Sequence, residues 1–383
     1  MQLNQKQFKL SFVTASILLA SSVYAQDYVR VNYMQYDEND NRVSVQAPSI
    51  EVNKDFGVDY TLNVSLVTDA VSGATPIYVD SISGASAFNS RGDNKTPIKK
   101  NVEFTEQRTS ASFSLVSRLD SRDEITVAFS KSYESDYDAN TLSIDYLHWA
   151  NKSKNRSYNI GASYALNNIL IKDCSYNAQC GAPDSVSGAS KKEISNILST
   201  EVGVTQLIDK TSLVKASIFY STEDGYLSNP YYNVVRYTNK IVAEVRPDKR
   251  VAYGFNLKYI KAFTSTISSK FKYKFYTDDW DITSHTIDIN NYYELNSKVT
   301  LGFGIRYYTQ SEAIFYSKDT NYFTDEVYAS HDDRLSSFNS TTLKTSVDYK
   351  YSKSLSYNIS LDKYDQSTDL SAMYTTVGFK YKF

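Results

Sequence analysis

Apolar and polar residues alternate with a period of two through most of the chain. Between residues 253 and 259, Tyr, Phe, Leu and Tyr alternate with Gly, Asn and Lys. The same pattern recurs at residues 60–66, 271–275 and 301–307. Successive side chains of a β-strand point to opposite faces, so each segment is predicted to form a strand with one apolar and one polar face.

The connections between these segments fall into two classes. Short, charged connections are predicted at residues 53–57, 120–123, 150–155, 208–210 and 247–249, and longer ones at 70–100, 172–191 and 221–230. Outer-membrane barrels show this asymmetry, with short periplasmic turns and longer outer loops. We therefore predict an all-β, transmembrane, antiparallel up-and-down barrel of about 16 strands, within a range of about 14 to 18. The pairing between residues 261 and 328 is the least defined part of the pattern.

Composition distinguishes the predicted barrel from a soluble β-sandwich, whose strands also alternate apolar and polar residues. The chain has 34 Tyr and 18 Phe, yet its mean hydropathy is only -0.43. Aromatic girdles at the two membrane interfaces explain the aromatic residues, whereas the core of a sandwich is mostly aliphatic. A net charge of -2 gives no electrostatic reason to expect a nucleic-acid partner.

The N-terminus has the features of a signal peptide. Lys6 and Lys9 precede an apolar run at residues 10–20, and Val-Tyr-Ala follows at 23–25. Cleavage is predicted after Ala25, leaving residues 26–383 as a single barrel. The run is too short for a spanning helix, although an uncleaved anchor is the alternative. We expect export to the outer membrane of a Gram-negative bacterium, with outer-membrane lipid around the barrel.

The last segment, residues 376–383, alternates up to a terminal aromatic residue. A final strand of this kind can pair with the first strand and remove both open edges. It resembles the signal recognised by the barrel-assembly machinery, which is therefore an expected partner. The residues that carry the resemblance are Thr376, Gly378, Tyr381 and Phe383.

One short motif occurs three times, at residues 69–75, 80–86 and 184–190. Each copy has Asp, any residue, Val or Ile, Ser-Gly-Ala, and a hydroxyl residue, which is Thr75, Ser86 or Ser190. Four predicted strands separate the loop at 70–100 from that at 172–191, so both loops should lie on the same side of the membrane. A simple turn motif is the alternative interpretation.

The motif resembles the acceptor sequence of periplasmic FAD:protein FMN transferases, which join FMN to the final hydroxyl through a phosphoester. The resemblance implies covalent FMN at Thr75, with Ser86 and Ser190 as poorer acceptors. Such a transferase and periplasmic redox proteins would then be partners. The small Ser-Gly-Ala neighbours suit a segment that must enter another enzyme's site.

Five segments resemble the DUF3570 family of bacterial outer-membrane barrels. They lie at residues 60–76, 201–206, 225–230, 278–285 and 306–311. The resemblance implies an outer-membrane barrel of unassigned function, encoded beside a flavin transferase and a thioredoxin-like protein. It carries no catalytic residues over to this chain.

Other candidate sites are weaker. Cys174 and Cys180 share one predicted loop, and a structural disulfide is the default in an exported protein. The spacing of the two cysteines does not match a recognised catalytic or metal-binding motif. The same holds for His148, His285 and His331, so we predict that the chain is not an enzyme and binds no metal. Charges of both signs on the polar faces, such as Lys258, Lys272 and Asp288, predict ion pairs along the lumen wall. A selectivity surface is the alternative.

Three functions remain open. The first is a redox barrel that carries covalent FMN and serves extracytoplasmic electron transfer. The second is a passive channel for small solutes. The third is a surface binding protein or receptor with a plugged lumen.

Overall fold

The structure, a computed structural model, describes residues 27–80, 97–171, 191–236, 241–318 and 323–383. Sixteen antiparallel strands close into one barrel, and two short strands form a separate sheet outside it. The prediction of an all-β barrel of about 16 strands is confirmed. Within the described ranges, no helix is long and apolar enough to cross a membrane. The predicted signal peptide, residues 1–25, lies outside the described residues.

The barrel strands follow one another in sequence order, except that β9 pairs directly with β12. The strands of the first half are β1 (Tyr28–Glu38), β2 (Val43–Phe56), β3 (Tyr60–Asp80), β4 (Pro97–Arg118), β5 (Glu124–Tyr133), β6 (Tyr137–Trp149), β7 (Arg156–Ile171), β8 (Lys191–Asp209) and β9 (Ser212–Gly225). The small sheet consists of β10 (Asn233–Val235) and β11 (Ile241–Ala243). The remaining strands are β12 (Lys249–Ala262), β13 (Ile267–Asp278), β14 (Thr283–Glu294), β15 (Val299–Gln310), β16 (Phe338–Lys350), β17 (Leu355–Gln366) and β18 (Ser371–Lys382).

The alternating pattern places apolar side chains on the outside of the barrel. On β12, Tyr253, Phe255 and Leu257 are exposed, and Phe255 packs against Phe275 of β13 with ring centroids 5.7 Å apart. The intervening residues, including Lys258, face the lumen. An exposed belt of aromatic and aliphatic side chains suits contact with lipid, because burial in the bilayer removes it from water.

The last strand closes the barrel, as its alternation predicts. β18 pairs with β17 on one side and with β1 on the other, for example Gly378 with Asn358 and Asn32. An added Cβ at Gly378 would lie 2.7 Å from the Val31 carbonyl oxygen and 2.8 Å from Asn358 Oδ1. Gly378 therefore lets three strands approach closely at the closing seam. Recognition of this strand by an assembly machinery stays a prediction.

The two ends of the barrel differ in their connections. At one end, here the short-turn end, every connection is two to six residues long; these are 57–59, 119–123, 150–155, 210–211, 263–266, 295–298 and 351–354. The opposite end, here the loop end, carries the long connections 226–248 and 311–337 as well as those at 81–96 and 172–190. By the general rule for bacterial barrels, the short-turn end is periplasmic.

Several of the predicted connections are wrong in place or extent. Residues 53–56 and 221–225 belong to β2 and β9. Residues 247–249 do not form a turn at the short-turn end, because everything between β9 and β12 leaves from and returns to the loop end. Residues 70–80 and 97–100 are not loop but strand. Their Ser, Gly and Pro content suggested a loop, but the two segments pair with each other throughout.

The β3–β4 hairpin continues beyond the sheet. β2 pairs with β3 only as far as Gly73, and β5 pairs with β4 only from Thr109, whereas β3 and β4 pair up to Asp80 and Pro97. The end of the hairpin is thus a two-stranded ribbon that projects about 20 Å past its neighbours. It stands at the loop end.

Candidate functional site: the lumen and its capped mouth

The inward faces of the strands form a polar lumen. One cavity of about 570 Å³ lies against β1, β2, β3, β17 and β18. Its lining includes Arg30, which pairs with Glu51 at 3.2 Å, and Asp69, which pairs with Arg108. Asp69 is only 4% exposed. These pairs confirm that charges on the polar faces meet as ion pairs along this part of the wall.

Two long segments pack together at the loop end of the barrel. We call residues 226–248 and 311–337 the cap. They hydrogen-bond to each other: Val245 N donates to Ala329 O at 3.2 Å, and Ala329 N donates to Val245 O at 2.8 Å. Val234, Phe323 and Ala329 pack together with exposures of 0–1%. The two segments therefore form one packed body rather than separate loops.

The first cap segment reaches across the mouth. It leaves the barrel at β9 and returns at β12, yet its strand β10 lies against β3. In the order of the closed sheet, β3 is six places from β9 and seven from β12. Since half of a sixteen-strand circumference is eight places, β10 contacts a strand that is almost opposite the segment's own attachment in the closed sheet.

A buried ionic network holds the two cap segments together. Arg246 donates from Nε to Glu244 Oε1 at 2.5 Å and from Nη2 to Asp332 Oδ2 at 2.7 Å. Arg334 also pairs with Asp332, and Ser330 Oγ donates to Glu244 Oε2 at 2.5 Å. The side chains of Glu244, Arg246 and Asp332 are 0–3% exposed. Burial raises the pKa of Asp332, but the charges of Arg334 and Arg246 outweigh it, so that the pKa falls well below its usual range.

A second buried group joins the cap to the barrel rim. Arg250 at the start of β12 forms an ion pair with Asp278 at the end of β13 and lies 4.5 Å over the Trp280 ring. Trp280 packs edge-on against Phe315 with ring centroids 5.0 Å apart, and Ile314 N donates to the Trp280 carbonyl at 3.0 Å. The cap is therefore anchored to the β13–β14 turn as well as to itself.

The three histidines lie in three different places. His148 Nδ1 is 3.0 Å from Asp123 at the short-turn end, and His285 Nδ1 is 2.8 Å from the Tyr273 hydroxyl on the outer face of β14. His331 is buried in the cap, with Nδ1 2.5 Å from the Ser317 carbonyl oxygen. They share no cleft, so the arrangement offers no histidine-based catalytic group.

Of the three motif copies, only the first has its whole backbone among the described residues. Thr75 lies in the projecting part of β3, where its backbone pairs with Val102 of β4. Ser86, Ser190, Cys174 and Cys180 lie outside the described residues. The prediction that four strands separate the loop after β3 from the loop after β7 is confirmed. These strands are β4, β5, β6 and β7, so both loops leave from the loop end. A turn at residues 69–75 is excluded, because this segment is strand.

One group of carboxylates lies near the projecting ribbon. Oxygens of Glu106, Glu134 and Asp136 are within 4.8 Å of one another. Ser135 donates to Glu106 from its backbone N at 3.2 Å and its hydroxyl at 2.9 Å. Hard cations take oxygen ligands of this kind, so these are the described residues that could hold one.

A closed sixteen-strand antiparallel sheet with an apolar outer belt and a polar lumen defines a transmembrane barrel of the outer-membrane type. The chain belongs to the family described as protein of unknown function (DUF3570), whose model matches residues 11–378. The resemblance noted from the five sequence segments is thereby confirmed. No curated protein matches the chain.

Several solved structures are similar in fold. They include CymD, a monoaromatic hydrocarbon channel, with 10% identity, a TM-score of 0.45 and coverage of 94% of this chain and 89% of CymD. The toluene transporter TodX of P. putida has 11% identity, a TM-score of 0.42 and coverage of 94% and 90%. The siderophore receptor PirA from Acinetobacter baumannii has 8% identity and a TM-score of 0.48, with 90% of this chain but only 53% of PirA covered.

The cap is the feature that sequence reasoning missed. Its two segments are separated by β12 to β15, so their contacts are far apart in sequence. The available signal was composition: Glu244, Arg246 and His331-Asp332-Asp333-Arg334 concentrate charge in segments without period-two alternation. Isolated from its partner segment, such a run is indistinguishable from a solvated loop.

Proposed function

We propose that the protein is an outer-membrane channel for small polar solutes whose outer mouth is narrowed by the cap. The polar inward face of the closed barrel carries this proposal. Barrels of 16 to 18 strands are wide enough for an aqueous path, whereas about eight strands leave room only for side chains. In this proposal the chain is not itself an enzyme, and its chemistry is selection of what passes.

The cap supports selection rather than free diffusion. A packed body at the loop end, fixed by a buried ionic network and in contact with the distant strand β3, would reduce the open cross-section of the mouth. Since the network joins segments that belong to different parts of the sheet, its disruption would release both. The channel would then pass larger solutes than it does with the cap in place.

Liposome swelling tests this proposal directly. The full chain is refolded into liposomes, and swelling is followed in sugars of increasing size, from a pentose to a tetrasaccharide. We expect fast swelling in the pentose and a steep fall with size. Replacement of Arg246 by Met should shift the cut-off to larger sugars. Swelling no faster than that of protein-free liposomes for every sugar, with folded protein present, would reject the channel.

Covalent FMN is the second candidate function, supported by the threefold motif. Thr75 lies on the ribbon beyond the barrel rim, where β3 forms backbone pairs with β4 and no longer with β2. A transferase would act in the periplasm before the barrel inserts, because the loop end faces outward afterwards. Attached flavin at this place would serve electron transfer with extracellular redox partners, and periplasmic redox proteins could reach it only before the barrel inserts.

Intact mass measurement on the chain co-expressed with an FAD:protein FMN transferase tests this candidate. One FMN increment that disappears in Thr75→Ala supports modification at the ribbon, and loss only in Ser86→Ala or Ser190→Ala assigns it to a neighbouring loop. An unmodified mass in all proteins rejects the flavin hypothesis and leaves the channel proposal unaffected.

A further inference from the structure

Lysines on three adjacent strands lie side by side in the lumen. Lys258 of β12 pairs directly with Lys215 of β9 on one side and with Lys272 of β13 on the other. Directly opposed residues of an antiparallel sheet have Cα atoms about 4.5 to 5.5 Å apart. Three ammonium groups therefore share one rung of the wall.

β13 extends this row along the axis of the strand. Lys270, Lys272 and Lys274 occupy alternate positions and so face the lumen together. They span about 13 Å of the wall. Lys274 Nζ lies 5.0 Å over the ring of Phe219, which places this ammonium inside the barrel. We call Lys215, Lys258, Lys270, Lys272 and Lys274 the basic wall.

Carboxylates near the basic wall are already occupied. Glu201 is 3.8 Å from Lys215. Asp288 of β14 lies directly opposite Lys272, but its carboxylate is bound by Lys344 of β16 at 2.6 Å and also by Asn290. Among the residues that the structure describes, no carboxylate oxygen lies within 4 Å of Nζ of Lys258, Lys270, Lys272 or Lys274. The basic wall thus has an excess of positive charge that the protein itself does not neutralise.

Stability of the wall does not explain this arrangement. Like charges directly opposite each other across two strands are destabilising, and the barrel carries two such pairs in succession. Arg30 and Lys380 also lie directly opposite each other at the closing seam, but there Glu51 pairs with Arg30 at 3.2 Å. A concave surface of one sign raises the local concentration of ions of the other sign.

We propose that the basic wall is a binding and selectivity site for small anions that bear carboxylate or phosphate groups. The proposal rests on the proposed channel function and names its solute class. Two or three ammonium groups on one rung match the several oxygens of such a group, and the ladder along β13 offers successive positions. An anion can move between them without leaving the positive surface, as conduction requires.

Reversal potential in a KCl gradient across a planar bilayer tests the proposal. The wild-type channel should prefer chloride over potassium by on the order of tenfold. Lys258→Gln combined with Lys272→Gln should lower this preference at least threefold. Lys258→Arg combined with Lys272→Arg keeps the charges and should retain it. Lys363→Gln removes an outward lysine that is 58% exposed and should change nothing.

A binding measurement that needs no conduction separates this inference from the channel. Calorimetric titration of the detergent-solubilised protein with inorganic phosphate and with succinate should show binding that is at least threefold weaker in the glutamine double variant. Conducting channels with identical selectivity in all proteins, and no anion binding, would overturn the inference and leave the channel intact. Anion binding that depends on these lysines, in a barrel that never conducts, would reject the channel and keep the site.

Discussion

Replacement of Arg246 by Met tests whether the cap is held by its buried charges. Arg246 bridges Glu244 and Asp332, and all three side chains are 0–3% exposed. Without Arg246, Asp332 keeps its pair with Arg334. Glu244 keeps only two neutral donors, Ser330 Oγ at 2.5 Å and Asn229 N at 3.0 Å.

The partners that Glu244 and Asp332 retain determine how much stability the cap should lose. Removal of one partner from a buried ion pair costs about 3 to 5 kcal/mol, because an uncompensated charge is left behind. The surviving partners place this variant at the lower limit, about 3 kcal/mol. Since each 1.4 kcal/mol corresponds to a factor of about ten, the released state of the cap should become roughly 10²-fold more populated.

Native-state hydrogen exchange measures this population. Amides of residues 229–246 and 330–335 should exchange roughly 10²-fold faster in Arg246→Met, while β12 to β15 keep their protection. Arg122→Met, at an exposed position of the short-turn end, is the matched control. Adding Glu244→Gln should recover part of the loss by removing the orphaned charge. Equal cap protection in the wild type and Arg246→Met would refute the reasoning.

Three further predictions follow from named contacts. Trp280→Ala should weaken the anchoring of the cap to the rim by about 3 to 5 kcal/mol, seen as faster exchange at residues 311–316 with unchanged barrel exchange. Burial raises the pKa of Asp123, but hydrogen bonds from Trp149 N, His148 and Tyr146 outweigh it and hold the pKa well below its usual value. The ionised Asp123 carboxylate therefore stabilises the fold fully at pH values above its ordinary pKa near 3.8, and this stabilisation is lost as the pH falls below that value. The urea midpoints of the wild type and Asp123→Asn should accordingly differ at pH 7 and converge in acid. Gly378→Val should lower the yield of heat-modifiable, folded barrel, because the side chain would collide with the Val31 carbonyl; a normal yield would show that the seam tolerates a Cβ.

The wall of the barrel was predictable because its signal is local. Tyr253, Phe255 and Leu257 face outward as their alternation indicates, and the period of two needs no knowledge of neighbouring strands. The closing role of residues 376–383 was predictable for the same reason. The strand boundaries were less predictable: β3 extends through Ser-Gly-Ala-Thr-Pro at residues 72–76, because β4 provides its partner there.

The candidate sites depend on contacts that no local pattern contains. Lys215 and Lys258 become neighbours only because β9 pairs with β12 across the whole first cap segment. From the sequence, the lumen charges appear mixed in sign. In the structure, the register places Lys215, Lys258 and Lys272 side by side, and the one carboxylate next in that row, Asp288, is bound by Lys344. Likewise, Arg246 and Asp332 are 86 residues apart and meet only in the cap.

Single-channel recording tests the central claim, a polar channel narrowed by a cap. The full chain and a variant in which residues 231–243 are replaced by a short Gly-Ser linker are refolded and inserted into planar bilayers. We expect discrete, steady conductance steps for both, with larger steps for the shortened variant. Folded protein that gives no steps in either form, or steps of equal size in both, would contradict this claim.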